Sequence, residues 1–165
     1  MSTHSPASDA YLNLTGIQGE TGDKEHKNWV AVHNFELILS TQVHKATQGP
    51  GLGAGIVSVG DLHLNLLFDK STITLRQYVV TGKHIAEVKL HVRRQGEKQI
   101  SWYELVLKNA MVAHTRIIYA GEGSFYCDAT IAFQSHTETY YPQDSKGQKG
   151  AAVTYSWDSY TQEQK

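Results

Sequence analysis

The nine histidines have the clearest chemical potential in this chain, because imidazole binds metals and transfers protons near neutral pH. His63 and Asn65 lie two apart after Gly60-Asp61, so on a strand they would share one face, like two ligands of a cupin metal site. Asn65 is a poor ligand for transition metals. The spacing of His84, His91 and His114 does not place them near His63, so they would complete such a site only if the fold happened to bring them together. A cupin-like metal protein stays an alternative, but we assign no metal and no cofactor.

No pattern typical of covalent or phosphate chemistry is present. The sequence has no Gly-x-Ser-x-Gly motif, and the glycine-rich residues 49–55 lack the Gly-Lys-Ser/Thr end of a phosphate-binding loop. The single cysteine, Cys127, cannot form an internal disulfide. It alternates with Ala129 and Ile131, which favours a buried side chain over a nucleophile. We therefore expect no catalytic residues and interpret the protein as a non-enzyme.

Length and composition indicate one globular domain over residues 1–165. The formal net charge of −1 offers no general attraction to nucleic acid, and no apolar run predicts membrane insertion. Arg93-Arg94 is interpreted as a solvated hairpin end. No Sec-type signal is visible at the N-terminus, so we expect folding in the cytoplasm and export by another route.

Apolar residues alternate with polar ones along most of the chain, which predicts an all-β protein. A change of parity near His33-Asn34 predicts a bulge, and a second change falls at Gly60. Residues 88–92 and 103–107 predict a hairpin with a turn around 95–97. About nine short strands are expected, in a sandwich or barrel. The alternating segments are 11–15, 30–39, 56–68, 88–92, 103–107, 111–118, 127–133, 137–141 and 153–157.

Two segments depart from this alternation. Residues 72–81 predict one short helix, with Leu75, Tyr78 and Val79 on its apolar face, Thr72 as N-cap and Gly82 just past its end. Residues 40–55 predict a long glycine-rich loop, and loops of this length are usually functional or disordered.

Aromatic residues crowd the C-terminal end, and two interpretations stay open for them. They could pack in the core and at a sheet edge, or form a protein–protein surface, where Tyr and Trp are enriched. The residues are Tyr140, Tyr141, Tyr155, Trp157 and Tyr160.

Several short motifs, in this order and spacing, resemble the haemolysin-coregulated protein (Hcp) family, the tube subunits of bacterial type VI secretion systems. The resemblance covers roughly residues 10–158 and implies an ordered core over that range. It departs from the family at Thr72-Ile73, where members often have Ser-Pro, and in the loop at 119–124. The matching motifs are Gly19-Glu20-x-x-Asp23-x-x-His26-Lys27, Asp61-Leu62-His63, Asp69-Lys70, Thr81-Gly82-Lys83-His84-Ile85, Tyr141-Pro142-Gln143-Asp144 and the tail at 147–158.

This resemblance implies a β-barrel with a flanking helix and homohexameric rings that stack into a tube. It also implies a spike protein at the tube tip, a contractile sheath that expels the tube, and effector proteins in the lumen. The tube would be secreted or delivered into target cells without a cleaved signal peptide. A monomeric lectin-like binding module stays the other alternative.

Two sets of residues are our hypotheses for contacts between copies. The glycine-rich segment would contact the next ring, and the aromatic C-terminal strand would form the weaker candidate for lateral contact within a ring. The stacking residues are Gln48, Gly49, Pro50, Gly51, Leu52 and Gly53, and the lateral residues are Tyr155 and Trp157.

Overall fold

The computed structural model describes residues 8–45, 49, 51–94 and 100–164, which form ten strands and one helix. In that part of the chain, no helix has the length and apolar character needed to cross a membrane. In chain order the elements are β1 (Ser8–Leu14), β2 (Val30–Glu36), β3 (Leu39–Lys45), β4 (Leu52–Val59), β5 (Leu62–Leu67), α1 (Lys70–Thr81), β6 (His84–Arg94), β7 (Ile100–Gly121), β8 (Ser124–Tyr140), β9 (Val153–Asp158) and β10 (Glu163–Gln164).

Six of the strands close into an antiparallel barrel, which confirms the all-β prediction. Their order is β5, β2, β1, β6, β7 and β8, and β8 pairs again with β5. The long strand β8 makes this closure possible. Its residues 126–131 pair with β5, whereas residues 135–140 extend past β5 and pair with β9.

Alternate residues of the barrel strands fill the interior. The predicted hairpin forms from β6 and β7, with Val88 opposite Leu107 and Leu90 opposite Leu105. These four side chains are buried, and full burial of such a side chain is worth about 1.5–3 kcal/mol. The turn expected around 95–97 lies outside the described residues.

The predicted changes of strand parity correspond to real irregularities. The register of β2 against β5 shifts between Val32 and Asn34, which confirms the bulge near His33-Asn34. At Gly60 the chain passes from β4 in a separate sheet to β5 in the barrel, with the Gly60 amide donating to Ile38 O at 2.8 Å.

Two predicted breaks do not exist, because β7 and β8 are long partners of each other. Segments 103–107 and 111–118 belong to one strand, β7, and segments 127–133 and 137–141 belong to β8 except for residue 141. Polar Lys108 and Asn109 interrupt the alternation in sequence, yet pairing with β8 continues past them. The expected loop at 119–124 is a tight turn, with Glu122 and Gly123 both at positive φ.

The helix begins two residues earlier than predicted. Its N-cap is Asp69, whose carboxylate accepts from the Ser71 amide at 2.7 Å, while Thr72 sits at N3 and completes a capping box. Gly82 ends the helix in the left-handed conformation, as expected. Leu75 and Tyr78 are buried, but Val79 is exposed.

The predicted loop at 40–55 is wrong, because β3 and β4 form a separate two-stranded sheet there. Val43 pairs with Ala54 and His44 pairs with Gly53. The glycines hide the alternation but do not prevent pairing, since the hydrogen bonds of a ladder join backbone groups. A Cβ on Gly55 would come within 2.8 Å of the Gln42 carbonyl oxygen, so glycine fits this close approach.

Candidate assembly surfaces

The β3–β4 hairpin is an apolar projection from the barrel. No other described strand pairs with it, and all seven residues of β3 are exposed. In β4, Leu52 is 74% exposed and Ile56 is 78% exposed. A lone two-stranded hairpin is only marginally stable in water, and contiguous exposed apolar residues mark interaction sites. The hairpin is therefore a candidate surface for contact with another protein.

The described residues of the stacking hypothesis lie at the free end of this hairpin. Leu52 and Gly53 begin β4, opposite Lys45 and His44, and Gly49 and Gly51 lie in the connection between the strands. Gln48 and Pro50 fall outside the described residues. Residues 39–60 contain no Asp or Glu. The end of the hairpin thus combines apolar side chains with positive charge.

A second exposed apolar surface, which we call the aromatic patch, consists of Phe68, Ile117, Tyr119 and Phe125. The rings of Phe68 and Phe125 stack with centroids 3.8 Å apart, and Tyr119 meets Phe125 edge to face at 5.6 Å. Tyr119 is 71% exposed. Sequence reasoning missed this patch because Phe125 continues the core-facing row of Cys127, and only the fold shows that Phe125 is exposed.

Acidic groups border the aromatic patch. Glu122 is exposed in the β7–β8 turn, next to the paired residues Tyr119 and Phe125. Glu20 and Asp69 lie at the start of α1, which directly follows Phe68. Glu20 accepts from the Lys70 amide at 3.0 Å, and Asp69 accepts from the Glu20 amide at 3.1 Å. These contacts hold carboxylates at the N-terminus of the helix, where its dipole favours them.

Tyr155 and Trp157, the hypothetical lateral residues, lie in β9, but Tyr155 already has partners within the chain. Its hydroxyl donates to Glu138 and lies 3.0 Å from His136 Nε2. Burial and the Glu138 carboxylate raise the pKa of Tyr155. Trp157 is half-buried and pairs with His136 in the ladder. Nearby Val153 is 66% exposed, whereas Tyr155 and Trp157 are both half-buried.

Arg93 is buried, which corrects the prediction of a solvated end at Arg93-Arg94. It is 2% exposed, whereas Arg94 is exposed beside the ring of Trp102. Arg93 Nη2 donates to Asp23 Oδ2 at 2.8 Å and to the Tyr11 hydroxyl at 3.1 Å. The Arg93 guanidinium holds the pKa of the Asp23 carboxyl far below its usual range. Sequence alone does not show this pair, because its members are 70 residues apart.

The same carboxylate fixes His26, so this motif has a structural role. Asp23 Oδ1 lies 2.9 Å from His26 Nδ1, and His26 Nε2 lies 3.1 Å from His91 Nδ1. The His26 ring stacks on Tyr11 and meets Trp29 edge to face. Asp23 and His26 thereby hold the long β1–β2 connection against β1 and β6.

The histidines of the metal alternative are not gathered into a site. His63 Nδ1 lies 3.3 Å from Thr130 Oγ1, and Asn65 donates to Asp128 at 2.7 Å. These residues line a cleft of about 590 Å³ that also includes His114. Among the described residues, no three His, Cys, Asp or Glu side chains are placed to hold a metal ion. Cys127 is buried, as predicted, and burial raises the pKa of its thiol.

Comparison with known proteins agrees with this architecture. A family model described as "Type VI secretion system effector, Hcp" matches residues 11–140. Protein hcp1 of Pseudomonas aeruginosa is 32% identical over 155 residues, which cover 92% of this chain and 95% of that protein. A solved type six secretion system protein superposes with a TM-score of 0.90 at 23% identity, covering 96% of this chain and all of the other. Hcp1 from Salmonella typhimurium gives a TM-score of 0.77 at 23% identity, covering 96% and 99%.

The fold and its exposed surfaces define a class of small, closed β-barrels with one flanking helix and a projecting hairpin. Within that class, the chain belongs to the Hcp family, the tube proteins of the type VI secretion system. Membership in a secreted family fits the expectation that the protein leaves the cell. The match with solved structures adds the fold, since those identities lie below 25%.

Proposed function

We propose that this protein is a structural subunit whose copies close into hexameric rings, and that the rings stack head to tail into a secreted tube. The subunit works through contacts between copies, and we assign it no reaction. The β3–β4 hairpin forms the contact between rings. The observation that carries this proposal is the exposure of apolar side chains along a hairpin that no other described strand supports.

Physical chemistry favours a repeating contact over a free hairpin. Exposed Ile38, Leu52 and Ile56 leave apolar surface in water, and burial of such surface is worth about 25 cal/mol per Å². A head-to-tail assembly needs two different complementary surfaces on each subunit, so that the contact repeats from copy to copy. The hairpin supplies one of them.

Electron microscopy of the purified protein tests this function. Replacing residues 43–54 with a short Gly-Ser turn should leave rings but abolish tubes. Val80→Lys is the matched control, because Val80 is 86% exposed on α1, away from the hairpin, and should leave tubes unchanged. Tubes that persist without the hairpin would refute its role in stacking. A parent protein that sediments as a stable monomer would instead favour the lectin-like module.

For lateral contact within a ring we keep Tyr155 and Trp157 as the proposed residues. Their strand β9 is connected to the barrel through β8, and the exposed side chain of Val153 enlarges the available surface. Val153→Asp should weaken rings without disturbing the hydrogen bonds of Tyr155, whereas Tyr155→Asp would remove both. Rings of unchanged stability in Val153→Asp and Trp157→Asp would exclude this surface.

We also propose, from family membership, that the tube associates with a spike protein at its tip and a contractile sheath around it, and that effector proteins occupy the lumen. Pull-down with the assembled tube, compared with the hairpin-truncated rings, tests each association. Partners that bind rings and tubes equally would contact the ring itself, and partners that bind only tubes would need the stacked form.

A further inference from the structure

We propose that the aromatic patch receives the β3–β4 hairpin of a second copy of this chain. The occupant is the hairpin, whose β4 residues Leu52 and Ile56 lie against Tyr119 and Phe125. This inference rests on the proposed tube, and it adds the surface that the hairpin contacts in the next ring.

The position of the two surfaces along β5 supports the proposal. The hairpin returns to the barrel at Gly60, immediately before β5 begins at Leu62. The aromatic patch starts at Phe68, directly after the last residue of β5. A strand of this length spans roughly 20 Å at about 3.3 Å per residue. The base of the hairpin and the patch therefore lie at opposite ends of β5, which suits a head-to-tail contact between the hairpin of one copy and the patch of the next.

The chemistry of the two surfaces is complementary. Both expose large apolar side chains, which gain free energy when they leave water together. The hairpin carries His44 and Lys45 and has no acidic residue, whereas the patch is bordered by the exposed carboxylate of Glu122. Opposite charges at the rim of an apolar contact favour the correct partner and register. A contact of this kind is heterologous and repeats without limit, as a tube requires.

Charge reversal provides the first test. Lys45→Glu and Glu122→Lys should each lower the fraction of protein that sediments as tubes by at least about tenfold. The loss of interaction energy at one exposed Lys45–Glu122 pair is small, but it is repeated at every subunit of the ring. The double variant should restore tube formation to within about twofold of the parent. Glu122 has a positive φ in its turn, and lysine fits this backbone conformation as well as glutamate does. Double variants that stay as defective as the singles would overturn the pairing.

Cross-linking between copies provides the second test. Leu52→Cys combined with Tyr119→Cys should give a ladder of multimers with a bismaleimide reagent, in a Cys127→Ala background. The matched control, Leu52→Cys with Val80→Cys, should give none. Leu52→Cys combined with Val153→Cys tests the other exposed surface. If only this pair gives a ladder, the hairpin contacts β9, and the inference is overturned.

These experiments distinguish failure of this inference from failure of the proposed tube function. If hairpin truncation abolishes tubes but Tyr119→Lys does not, the hairpin stacks on another surface and only this inference falls. If the parent protein forms neither rings nor tubes, the proposed function falls with it.

Discussion

Arg93 Nη2 lies 2.8 Å from Asp23 Oδ2, and this ion pair joins the β1–β2 connection to strand β6. The side chains are 3% and 13% exposed, so both charges have lost most of their water. Within the described residues, Arg93 Nε and Nη1 have no hydrogen-bond partner. The positive charge of the buried guanidinium is thus compensated by Asp23, with the Tyr11 hydroxyl and Asp9 also close to it.

Asp23→Ala should destabilise the fold by about 3–5 kcal/mol, because it leaves the Arg93 charge buried without its closest partner. The measurement is urea unfolding at one fixed protein concentration, since assembly stabilises folded subunits by mass action. Glu25→Ala, an exposed change in the same connection, is the control and should stay within about 0.5 kcal/mol of the parent. Equal stability of the two variants would mean that Arg93 finds another partner.

Acidification should destabilise the protein through His91. Burial is the largest cause that lowers the pKa of His91 below its ordinary value, so the unfolded chain takes up this proton more readily than the folded one. The stabilisation that comes from neutral His91 is complete above about pH 6.5, the ordinary pKa of histidine. It is lost as the pH falls toward the lower pKa of His91 in the folded protein. Unfolding at a series of pH values between about 7.5 and 5 measures this loss.

His91→Gln should reduce that pH dependence without removing it, because burial also lowers the pKa of His136, which remains in the variant. Stability curves that run parallel for parent and variant over this range would show that His91 does not contribute to the slope.

Gly19→Ala should disrupt the attachment of the β1–β2 connection to the barrel. A Cβ at Gly19 would overlap the backbone carbonyl of Trp29 and come within 2.9 Å of Asp69 Oδ2, the acceptor for the Glu20 amide. Gly22→Ala is the matched control, because nothing lies within 4 Å of its added Cβ. Thermal unfolding should show a lower Tm for Gly19→Ala alone. Equal Tm values would mean that the backbone near Trp29 moves aside at little cost.

The sequence predicted most of the barrel because its strands bury one face each. Leu90 and Leu105 alternate with polar neighbours, and their pairing in the structure follows from that period. The lengths of β7 and β8 could not be predicted in this way. Strand β7 pairs with β6 over residues 100–111 and with β8 over residues 103–121. Both ladders run past the polar residues Lys108 and Asn109, which look like an interruption in the sequence.

The candidate surfaces were harder to predict than the core. Glycine content indicates residues 48–53 as an assembly site, but the glycines of residues 49–55 also conceal the pairing of β3 with β4. Phe125 follows the parity of the core and was not recognised as exposed. Arg93 was expected in solvent, because a charged residue is buried only with partners that sequence spacing does not reveal.

The isolated β3–β4 sheet has a thermodynamic consequence for the fold itself. Its strands pair with each other and leave their apolar side chains in water, so the barrel gives this sheet little protection against local opening. Its backbone amides should exchange with deuterium quickly in dilute subunits and slowly when neighbours are abundant. The fraction of molecules in which this sheet is folded then depends on protein concentration as well as on sequence.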